Sequence, residues 1–410
     1  MIVIKFYSDR EKRLLGRYFF FYRKKHHISL LQVYNAGICG HATVQDIEKG
    51  VIKKNDDYYD GLLHFYHLKY LMNDEDLQIL EDRFEALYQV CEQFQSEKID
   101  KEINSLFEIC FSHQEMMIYR EVIEVLNYLK KYYLDSKYLT RDEVLRVIPY
   151  INLFESLGSL LLEVCEQSNI KKILDIKICN QLYPLAAEKN DAIGRYWYAR
   201  ECEMKVNYIE ALEIYKDLLK YYEREDNVLR KTRTLMDIHS IYRDVDQEKG
   251  KIYTSKLEDI VKDERLPVSM KKSIYYNLGM YYYYLYEDYE KALKYYERSN
   301  ELMNDEKKIL FICACKSRLN QIICFDYSIC ENHSLYPCLK YYQLCAEGVS
   351  PVQLQQFILK EVMKRLKQEI YAEPLWTMYE YEMSRLCKKT RSYRSYQIYI
   401  LKMKENIKEG

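Results

Sequence analysis

The chain has 410 residues, of which 48% are hydrophobic and 30% are charged. This composition excludes an intrinsically disordered chain, and the length exceeds that of one small domain. The formal net charge is −1, so any large basic surface is local rather than general. With only 11 glycines and 6 prolines, and few alternating apolar runs of strand length, the chain is predicted to be all-α.

Charge is distributed unevenly along the chain. Residues 1–70 contain 12 lysines and arginines against 7 aspartates and glutamates, whereas the remaining residues are mildly acidic. A basic N-terminal segment followed by an acidic body suits a DNA-binding domain attached to a sensing or assembly domain.

The run VYNAGICGHATVQDIEKG at residues 33–50 is typical of two short helices joined by a tight turn. Gly37, Cys39 and Gly40 form a small-residue corner, and the second helix is predicted from about His41 to Glu48. We expect Gly40 to let this helix leave the corner without a side-chain clash, and Gly50 to end it as a C′ glycine. A longer helix, from about Arg10 to His26, precedes the pair.

These residues resemble the LAxGICSxSxxSxIExG pattern of the Xre-type DNA-binding domain. The version concerned belongs to the peptide-pheromone-responsive regulators of quorum sensing, of the Rgg, PlcR and NprR kind. Gly37 to Cys39 and Ile47 to Gly50 match the pattern without a gap, and four upstream residues also fall at family positions: Leu15, Gly16, Arg23 and Ser29. The resemblance covers roughly residues 11 to 66 and implies a helix-turn-helix domain over residues 1–72.

The resemblance also implies an ion pair between Arg23 of the first helix and Glu48 at the end of the second helix of the pair. Such a pair locks the helices together, and loss of one member of a well-buried pair costs about 3–5 kcal/mol. The alternative is that both residues are solvated surface charges.

By the same resemblance, the second helix and its surroundings supply the DNA-binding residues. The predicted set is His41, Ala42, Thr43, Gln45, Asp46, Lys49, Lys53, Lys54 and Arg17. Two positions depart from the family pattern. Asp46 is repelled by phosphate unless it accepts a hydrogen bond from cytosine, and Leu30 stands where a phosphate-contacting polar residue is common.

From about Asp74 onward the chain is predicted to be a series of amphipathic helices with an internal repeat. The small-residue markers Gly158, Ala199 and Gly279, with His239 between the last two, recur at intervals of about 40 residues. The runs YIEALEIYKDLL from Tyr208 and YEKALKYYERS from Tyr289 are near copies. These features resemble the tetratricopeptide repeat (TPR), most strongly at residues 192–225 and 272–302. They imply a TPR-like right-handed α-superhelix over residues 73–410 that serves peptide binding and dimerisation.

If the markers define one layer of the stack, helix geometry selects the residues that face its concave side. The predicted peptide-binding set is Asn152, Ser156, Trp197, Arg200, Asp237, Arg243, Tyr276, Asn277, Met280 and Tyr283. Asparagine matters here because one carboxamide both donates to and accepts from a peptide backbone. In the regulators resembled, asparagines of the groove hold the pheromone in this way.

Other classes of protein find no support in the sequence. The 13 cysteines occur without a CxxC pair or a signal peptide, which indicates a cytoplasmic protein with mostly buried thiols. No apolar run reaches the ~20 residues of a membrane span. Nucleophile elbows, P-loops and metal-binding helix motifs are missing, so no enzymatic activity, cofactor or metal is expected.

The sequence therefore predicts a cytoplasmic, homodimeric transcriptional regulator that binds DNA and is controlled by a small peptide. One alternative is an adaptor of the Rap kind, whose head binds a protein instead of DNA, as Leu30, Ala42 and Asp46 favour. The other alternative is a scaffold with a decayed DNA-binding head. In that case charge changes at Lys49, Lys53 and Lys54 would alter nothing measurable.

Overall fold

The computed structural model describes residues 7–70, 72–113, 117–170, 175–302, 306–321, 323, 335–367 and 373–409. Within these residues every regular element is a helix, as expected for the all-α class. The chain divides into two compact units, Met1–Ile241 and Tyr242–Gly410, which we call unit 1 and unit 2. The predicted boundary at residues 72–73 falls inside unit 1.

Unit 1 begins with four helices that form the head, which we define as residues 7–66. Their bounds are α1 Asp9–Lys25, α2 Leu30–Asn35, α3 His41–Glu48 and α4 Asp57–Phe65. The prediction for α3 is confirmed at both ends. Helix α1 lies one residue earlier than expected at each end, because Ser8 and Glu11 form a capping box before its first turn.

The turn between α2 and α3 depends on a glycine other than the expected one. Gly40 has a φ of −64°, and a Cβ there would lie 3.9 Å from the nearest atom considered, Thr43 Oγ1. The expectation that Gly40 relieves a clash is therefore wrong. Gly37 has a φ of +71° and Gly50 a φ of +80°, so these two glycines occupy the left-handed conformation that the turn and the end of α3 require.

The head has its own apolar core, formed by the inward faces of its helices. Leu15, Phe19, Ile47 and Leu62 are fully buried in it. Gly16 allows α1 and α3 to approach closely, because a Cβ at this position would overlap the carbonyl oxygen of Ile47. The LG dipeptide of the sequence motif therefore acts as a contact between helix backbones.

The rest of unit 1 consists of consecutive helices, several of which pack on the next helix along the chain, as α5 does on α6, α6 on α7 and α11 on α12. Their bounds are α5 Asp74–Glu92, α6 Ser96–Ser112, α7 Met117–Tyr133, α8 Arg141–Val147, α9 Glu155–Ser168, α10 Ile176–Ala187, α11 Ala192–Met204, α12 Tyr208–Arg224 and α13 Val228–Val245, of which α13 continues into unit 2. A 3₁₀ turn, Ile148–Asn152, joins α8 to α9. In the pair α11 and α12 the small residues Ala199 and Ala211 are fully buried, as the TPR-like pattern predicts.

Unit 2 repeats this arrangement. Its helices are α14 Gln247–Ile260, α15 Val268–Tyr284, α16 Tyr289–Leu302, α17 Glu306–Arg318, α18 Tyr336–Ala346, α19 Pro351–Phe357, α20 Met363–Leu366, α21 Glu373–Thr390 and α22 Tyr393–Glu409, with a π turn at Ile358–Val362 between α19 and α20. Helices α15 and α16 form the second TPR-like pair. There Gly279 lies against the Tyr296 ring, and Ala292 is fully buried.

Each unit also contains a buried glutamate that is bound by arginines and tyrosine. In unit 1, Glu163 accepts hydrogen bonds from Arg230 at 2.8 and 2.7 Å and from Tyr133 at 2.8 Å. In unit 2, Glu382 pairs with Arg318 and accepts a hydrogen bond from Tyr283 Oη at 2.9 Å. Many tyrosines therefore belong to the core, with their hydroxyl groups bonded to buried charges.

Candidate functional site

Arg23 and Glu48 form a buried, bidentate ion pair inside the head. Arg23 Nε and Nη2 each lie 2.6 Å from a carboxylate oxygen of Glu48, and the two residues are only 6% and 8% exposed. Arg23 Nη1 also donates to the carbonyl oxygen of Ile28 at 3.3 Å. The hydrogen bonds to Glu48 raise the pKa of the Arg23 guanidinium. The pair ties α1 to α3 and to the start of α2.

Helix α3 has an inner face and an outer face. Val44, Ile47 and Glu48 are buried within the head, whereas Thr43 and Gln45 are half-buried. Three of the predicted DNA-binding residues in and just after α3 are exposed: His41, Ala42 and Lys49. The outer face of α3 is therefore open to a partner at both its first turn and its C-terminal end.

Asp46, the least expected residue of this face, is neutralised locally. Lys53 Nζ lies 2.6 Å from its carboxylate, and this hydrogen bond lowers the pKa of Asp46. Lys53 is therefore committed to Asp46. Lys54, its neighbour in the predicted phosphate-binding set, is exposed.

We call the helices from α5 onward the body. Three cations of α1 contact carboxylates in the part of the body that lies in unit 1, and we call this row of contacts the seam. Arg10 lies 3.0 Å from Glu81, and Lys25 lies 2.9 Å from Glu121. Arg17, which was predicted to contact DNA, forms an ion pair with Glu155 at the start of α9. The Arg17 guanidinium group, which was expected to face a DNA phosphate, is thus bound to a carboxylate inside unit 1.

A cavity of about 950 Å³ lies beside the seam, between the head and α5, the 3₁₀ turn, the start of α9 and the loop after α10. We call it the seam cavity. Its head wall includes Arg17, Phe20, Arg23, Lys24, Gln45 and Lys49. Its body wall includes Glu85, Tyr88, Asn152, Glu155, Ser156 and Glu188. The cavity therefore brings three residues of the predicted DNA-binding set together with two of the predicted peptide-binding set.

The two peptide-set residues of the cavity are hydrogen-bonded to carboxylates of the body. Asn152 Nδ2 donates to Glu188 at 3.2 Å, and Ser156 Oγ donates to Glu85 at 2.8 Å. Both side chains are half-buried, so each keeps a surface that faces the cavity.

The other predicted peptide-binding residues of unit 1 lie on α11 and α13. Arg200 Nη1 binds Asp237 at 2.8 Å, and Asp237 also accepts a hydrogen bond from Tyr196 at 2.6 Å. Trp197 is only 1% exposed. Its predicted position on a groove wall is therefore corrected: the indole fills the space between helices and belongs to the core.

In unit 2 the predicted residues also separate into surface and core. Arg243, Tyr276, Asn277 and Met280 are half-buried, and the Tyr276 ring packs on Phe311 with centroids 5.3 Å apart. Tyr283 is 1% exposed and donates to the buried Glu382. Its predicted contact with a peptide is corrected for the same reason as that of Trp197.

Apart from Asn152 and Ser156, sequence reasoning missed the residues of the body wall of the seam cavity. Lys189 Nζ donates to the carbonyl oxygen of Ile151 at 2.9 Å, and burial lowers the pKa of Lys189. Asp191 caps α11 and accepts a hydrogen bond from Tyr88 Oη at 3.0 Å. The N-cap pattern at Asp191 was a readable signal, but nothing in the sequence linked it to residues of the head.

The described part of the chain contains no group of three or more histidine, cysteine, aspartate or glutamate side chains arranged to hold a metal ion. None of its helices combines the length and the hydropathy needed to cross a lipid bilayer.

The fold is similar to that in a crystal structure of a Rap protein complexed with competence and sporulation factor. The match has a TM-score of 0.55 and covers 81% of this chain and 98% of that chain, with 12% sequence identity. No protein-family model matches the chain, and no curated protein matches it. At this identity the similarity concerns the fold, and it confirms the all-α, TPR-like class.

Proposed function

We propose that this chain is a transcriptional regulator whose head binds DNA and whose TPR-like body binds a small signalling peptide. One observation carries the proposal. A helix-turn-helix head, locked by Arg23 and Glu48 and with His41 and Lys49 exposed, precedes TPR-like helix pairs in the same chain. The fold similarity to a Rap protein complexed with competence and sporulation factor supports the proposal that the body binds a signalling molecule.

In this proposal α3 enters the major groove of DNA, with its first turn nearest the bases. His41 and Ala42 face base edges, and Lys49 and Lys54 neutralise phosphates. Two heads at a fixed separation are needed to read two half-sites, so we propose that the protein acts as a cytoplasmic homodimer. Light scattering during size-exclusion chromatography measures its mass in solution.

DNA binding is tested by fluorescence anisotropy with a labelled duplex taken from upstream of the protein's own coding region. We expect binding at low salt that weakens steeply as salt rises, because phosphate contacts release counterions. The double variant Lys49→Ala, Lys54→Ala should weaken binding and reduce the salt slope by about 2, or about 1 for each lost phosphate contact. The matched control is Lys220→Ala, whose side chain is 78% exposed on α12.

Two results would oppose the DNA half of the proposal. The first is an absence of binding at low salt. The second is binding that the double variant and the control change equally.

The second candidate function is a protein-binding adaptor, and a specific feature of α2 favours it. Leu31 is 62% exposed and Tyr34 is 47% exposed, and the Tyr34 ring lies near that of His41 with centroids 6.4 Å apart. An apolar patch of this kind suits a protein surface better than phosphate. The α1 cations Arg10, Arg17 and Lys25 are also already paired with carboxylates.

The double variant Leu31→Ser, Tyr34→Ser separates the two functions. If the head is an adaptor, this variant loses binding to a purified response regulator, measured by biolayer interferometry, in a manner that depends little on salt. If the head reads DNA, the variant leaves the salt slope of duplex binding unchanged, because neither side chain neutralises a phosphate.

A further inference from the structure

The walls of the seam cavity differ in net charge: the head wall has four cations and Glu48, and the body wall has four carboxylates and Lys189. Lys189 is held by the Ile151 carbonyl oxygen, to which it donates at 2.9 Å. The cations Arg17, Lys24 and Lys49 lie on the head wall, and the carboxylates Glu85 and Glu188 lie on the body wall. The cavity volume of about 950 Å³ is at the upper end of the range typical of small-molecule sites. Charge separated across such a space favours a ligand with a negative end and a positive end.

Several charges of the walls are already neutralised within the protein. Arg23 pairs with Glu48, and Arg17 pairs with Glu155. Asp191 accepts hydrogen bonds from Tyr88 Oη and from the Gly194 N–H group, each at 3.0 Å. These groups shape the cavity but have little remaining capacity for a ligand.

On the head wall, two cations remain available. Lys24 and Lys49 are exposed, and neither has an ion-pair partner among the described residues. Lys24 Nζ lies 5.5 Å from the centroid of the Phe20 ring, which also lines the cavity. These two ammonium groups can receive a carboxylate.

On the body wall, two carboxylates are hydrogen-bonded by neutral groups. Glu188 accepts from the Asn152 carboxamide, and Glu85 accepts from the Ser156 hydroxyl at 2.8 Å and from the Gln89 carboxamide at 2.9 Å. A carboxylate keeps further acceptor capacity after one or two such bonds. These two groups can receive an ammonium ion.

Between the charged groups the lining offers amide-like chemistry. Gln45 on the head wall and Asn152 and Asn190 on the body wall each carry a carboxamide. A carboxamide both donates and accepts, so it matches the N–H and C=O groups of a peptide unit. A purely anionic ligand such as a phosphate fits this cavity less well than a peptide, because Glu85 and Glu188 of the body wall would repel it.

We propose that the seam cavity binds a short linear peptide with free termini. Lys24 and Lys49 bind the terminal carboxylate, Glu85 and Glu188 bind the terminal ammonium group, and Gln45 and Asn152 bind main-chain amides. This inference rests on the proposed function, because it assigns peptide binding to a place within unit 1. A peptide held in this way touches the head and the body at once and therefore stabilises their contact. Because it binds Lys49, it also competes with the phosphate contact proposed for that residue.

The full-length protein is tested with an equimolar pool of synthetic hexapeptides that carry free termini. A second pool has the same sequences with acetylated N termini and amidated C termini. Peptides retained by the protein after size exclusion are identified by mass spectrometry, and the affinity of the most enriched peptide is measured by calorimetry. We expect retention from the free pool and at least a tenfold loss of affinity when the same peptide is blocked at both ends.

Variants then locate the site. The double variant Lys24→Ala, Lys49→Ala and the single variant Glu188→Gln should each lower the affinity for the enriched peptide at least tenfold. The double variant Lys24→Arg, Lys49→Arg should restore binding, because it restores the two charges. Lys220→Ala should bind like the unmodified protein. Circular dichroism checks that every variant is folded, which we expect because Lys24 and Lys49 are exposed.

The possible results separate this inference from the proposed function. If a peptide binds but only Arg200→Ala abolishes its binding, the seam cavity is the wrong place while the peptide half of the proposed function stands. If blocked and free peptides bind equally, recognition of the termini is refuted. If neither pool is retained, both the cavity assignment and the peptide half of the proposed function fail, whereas DNA binding is judged by its own assay.

Discussion

The interior of the head and the seam are both held by ion pairs, but the pairs differ in burial. Arg23 and Glu48, inside the head, have side chains that are 7% and 4% exposed. At the seam, the side chains of Arg17 and Glu155 are 29% and 77% exposed, and those of Arg10 and Glu81 are 36% and 46% exposed. The third seam pair, Lys25 with Glu121, has side chains that are 36% and 14% exposed. The head therefore has its own locked core, and its charged attachments to the body are more solvated than the pair inside it.

The difference has an energetic consequence. Breaking a buried pair strands a charge without water, whereas an exposed pair is screened by solvent and salt. The seam also contains an aromatic contact, since the rings of Phe21 and Tyr150 lie with centroids 4.4 Å apart. We therefore expect the head to keep its fold when the charged part of the seam is lost.

The largest expected effect comes from breaking the pair inside the head. Arg23→Ala should destabilise the head by about 3–5 kcal/mol, because Glu48 is left buried and unpaired. Hydrogen exchange of the amides in α1 and α3, measured along a urea series, reports this loss. The control is Lys53→Ala, which removes a half-exposed pair with Asp46 and should change the exchange far less, because the remaining carboxylate stays solvated. Equal losses in the two variants would contradict the comparison.

The second largest effect is expected at the close backbone contact between α1 and α3. Gly16→Ala should destabilise the head by about 1–3 kcal/mol, because the added methyl group overlaps the Ile47 carbonyl and forces α1 away from α3. Gly40→Ala is the matched control, and it should cost less than about 1 kcal/mol because only a helix N-cap preference is changed. The urea midpoints of the two variants are compared. If Gly40→Ala lowers the midpoint more than Gly16→Ala does, the turn before α3 limits stability and the contact between α1 and α3 does not.

A pH experiment extends the comparison to the body, where two buried carboxyl groups have no arginine bound in the manner of Arg23. Burial raises the pKa of Glu166 on α9, and the charge of Glu201 on α11 raises it further. Burial also raises the pKa of Glu201, against the opposing charges of Lys205 and Arg200. The pair formed by Glu166 and Glu201 therefore keeps a proton in the folded protein at pH values where the same carboxyl groups of the unfolded chain have released it.

The sign follows from proton binding. Between the ordinary pKa and the raised one, the folded state binds more protons, so stability falls as pH rises. We expect the urea midpoint of unit 1 to decrease as pH rises above the ordinary glutamate pKa of about 4.3, until pH passes the raised pKa of the pair. Glu166→Gln should flatten this decrease, because its amide stays neutral. A variant profile parallel to that of the unmodified protein would refute the assignment.

The smallest effect is expected at the seam itself. Arg17→Ala should cost about 0–1 kcal/mol of stability, and the cost should vanish at high salt, because Glu155 remains solvated when its partner is lost. Lys220→Ala, which removes an exposed pair with Asp217, provides the baseline in the same urea assay. A cost for Arg17→Ala as large as that for Arg23→Ala would show that the seam is as rigid as the head.

The parts of the fold that were predicted well depend on short-range patterns. Helix α3 was located from its flanking glycines, and the pair α11 and α12 from its buried alanines. The Arg23 and Glu48 side chains, 25 residues apart, were expected to meet only through the family resemblance. The first two features are carried by spacings along one helix or between adjacent helices, whereas the ion pair is not.

The predictions of peptide-binding residues were weaker. A helix in a stack of helix pairs packs on neighbours at more than one face, so several of its faces are apolar. Trp197 and Tyr283 occupy positions that helix geometry places near the marker residues, yet both rings lie between helices. The periodicity of a single helix cannot distinguish the wall of a groove from the interface with the next helix. Arg17 and Glu155, which meet at the seam, are 138 residues apart and share no local pattern.

The sequence by itself determined the helical class, the helix-turn-helix head and the TPR-like pairs, because these follow from apolar periodicity, caps and small residues at contacts between neighbouring helices. Only the tertiary structure decided that α1 places its cations against carboxylates of the body and leaves a charged cavity beside them. The physical reason is that helix packing brings together surfaces far apart in the chain, and the charge on one surface contains no information about the surface it will meet.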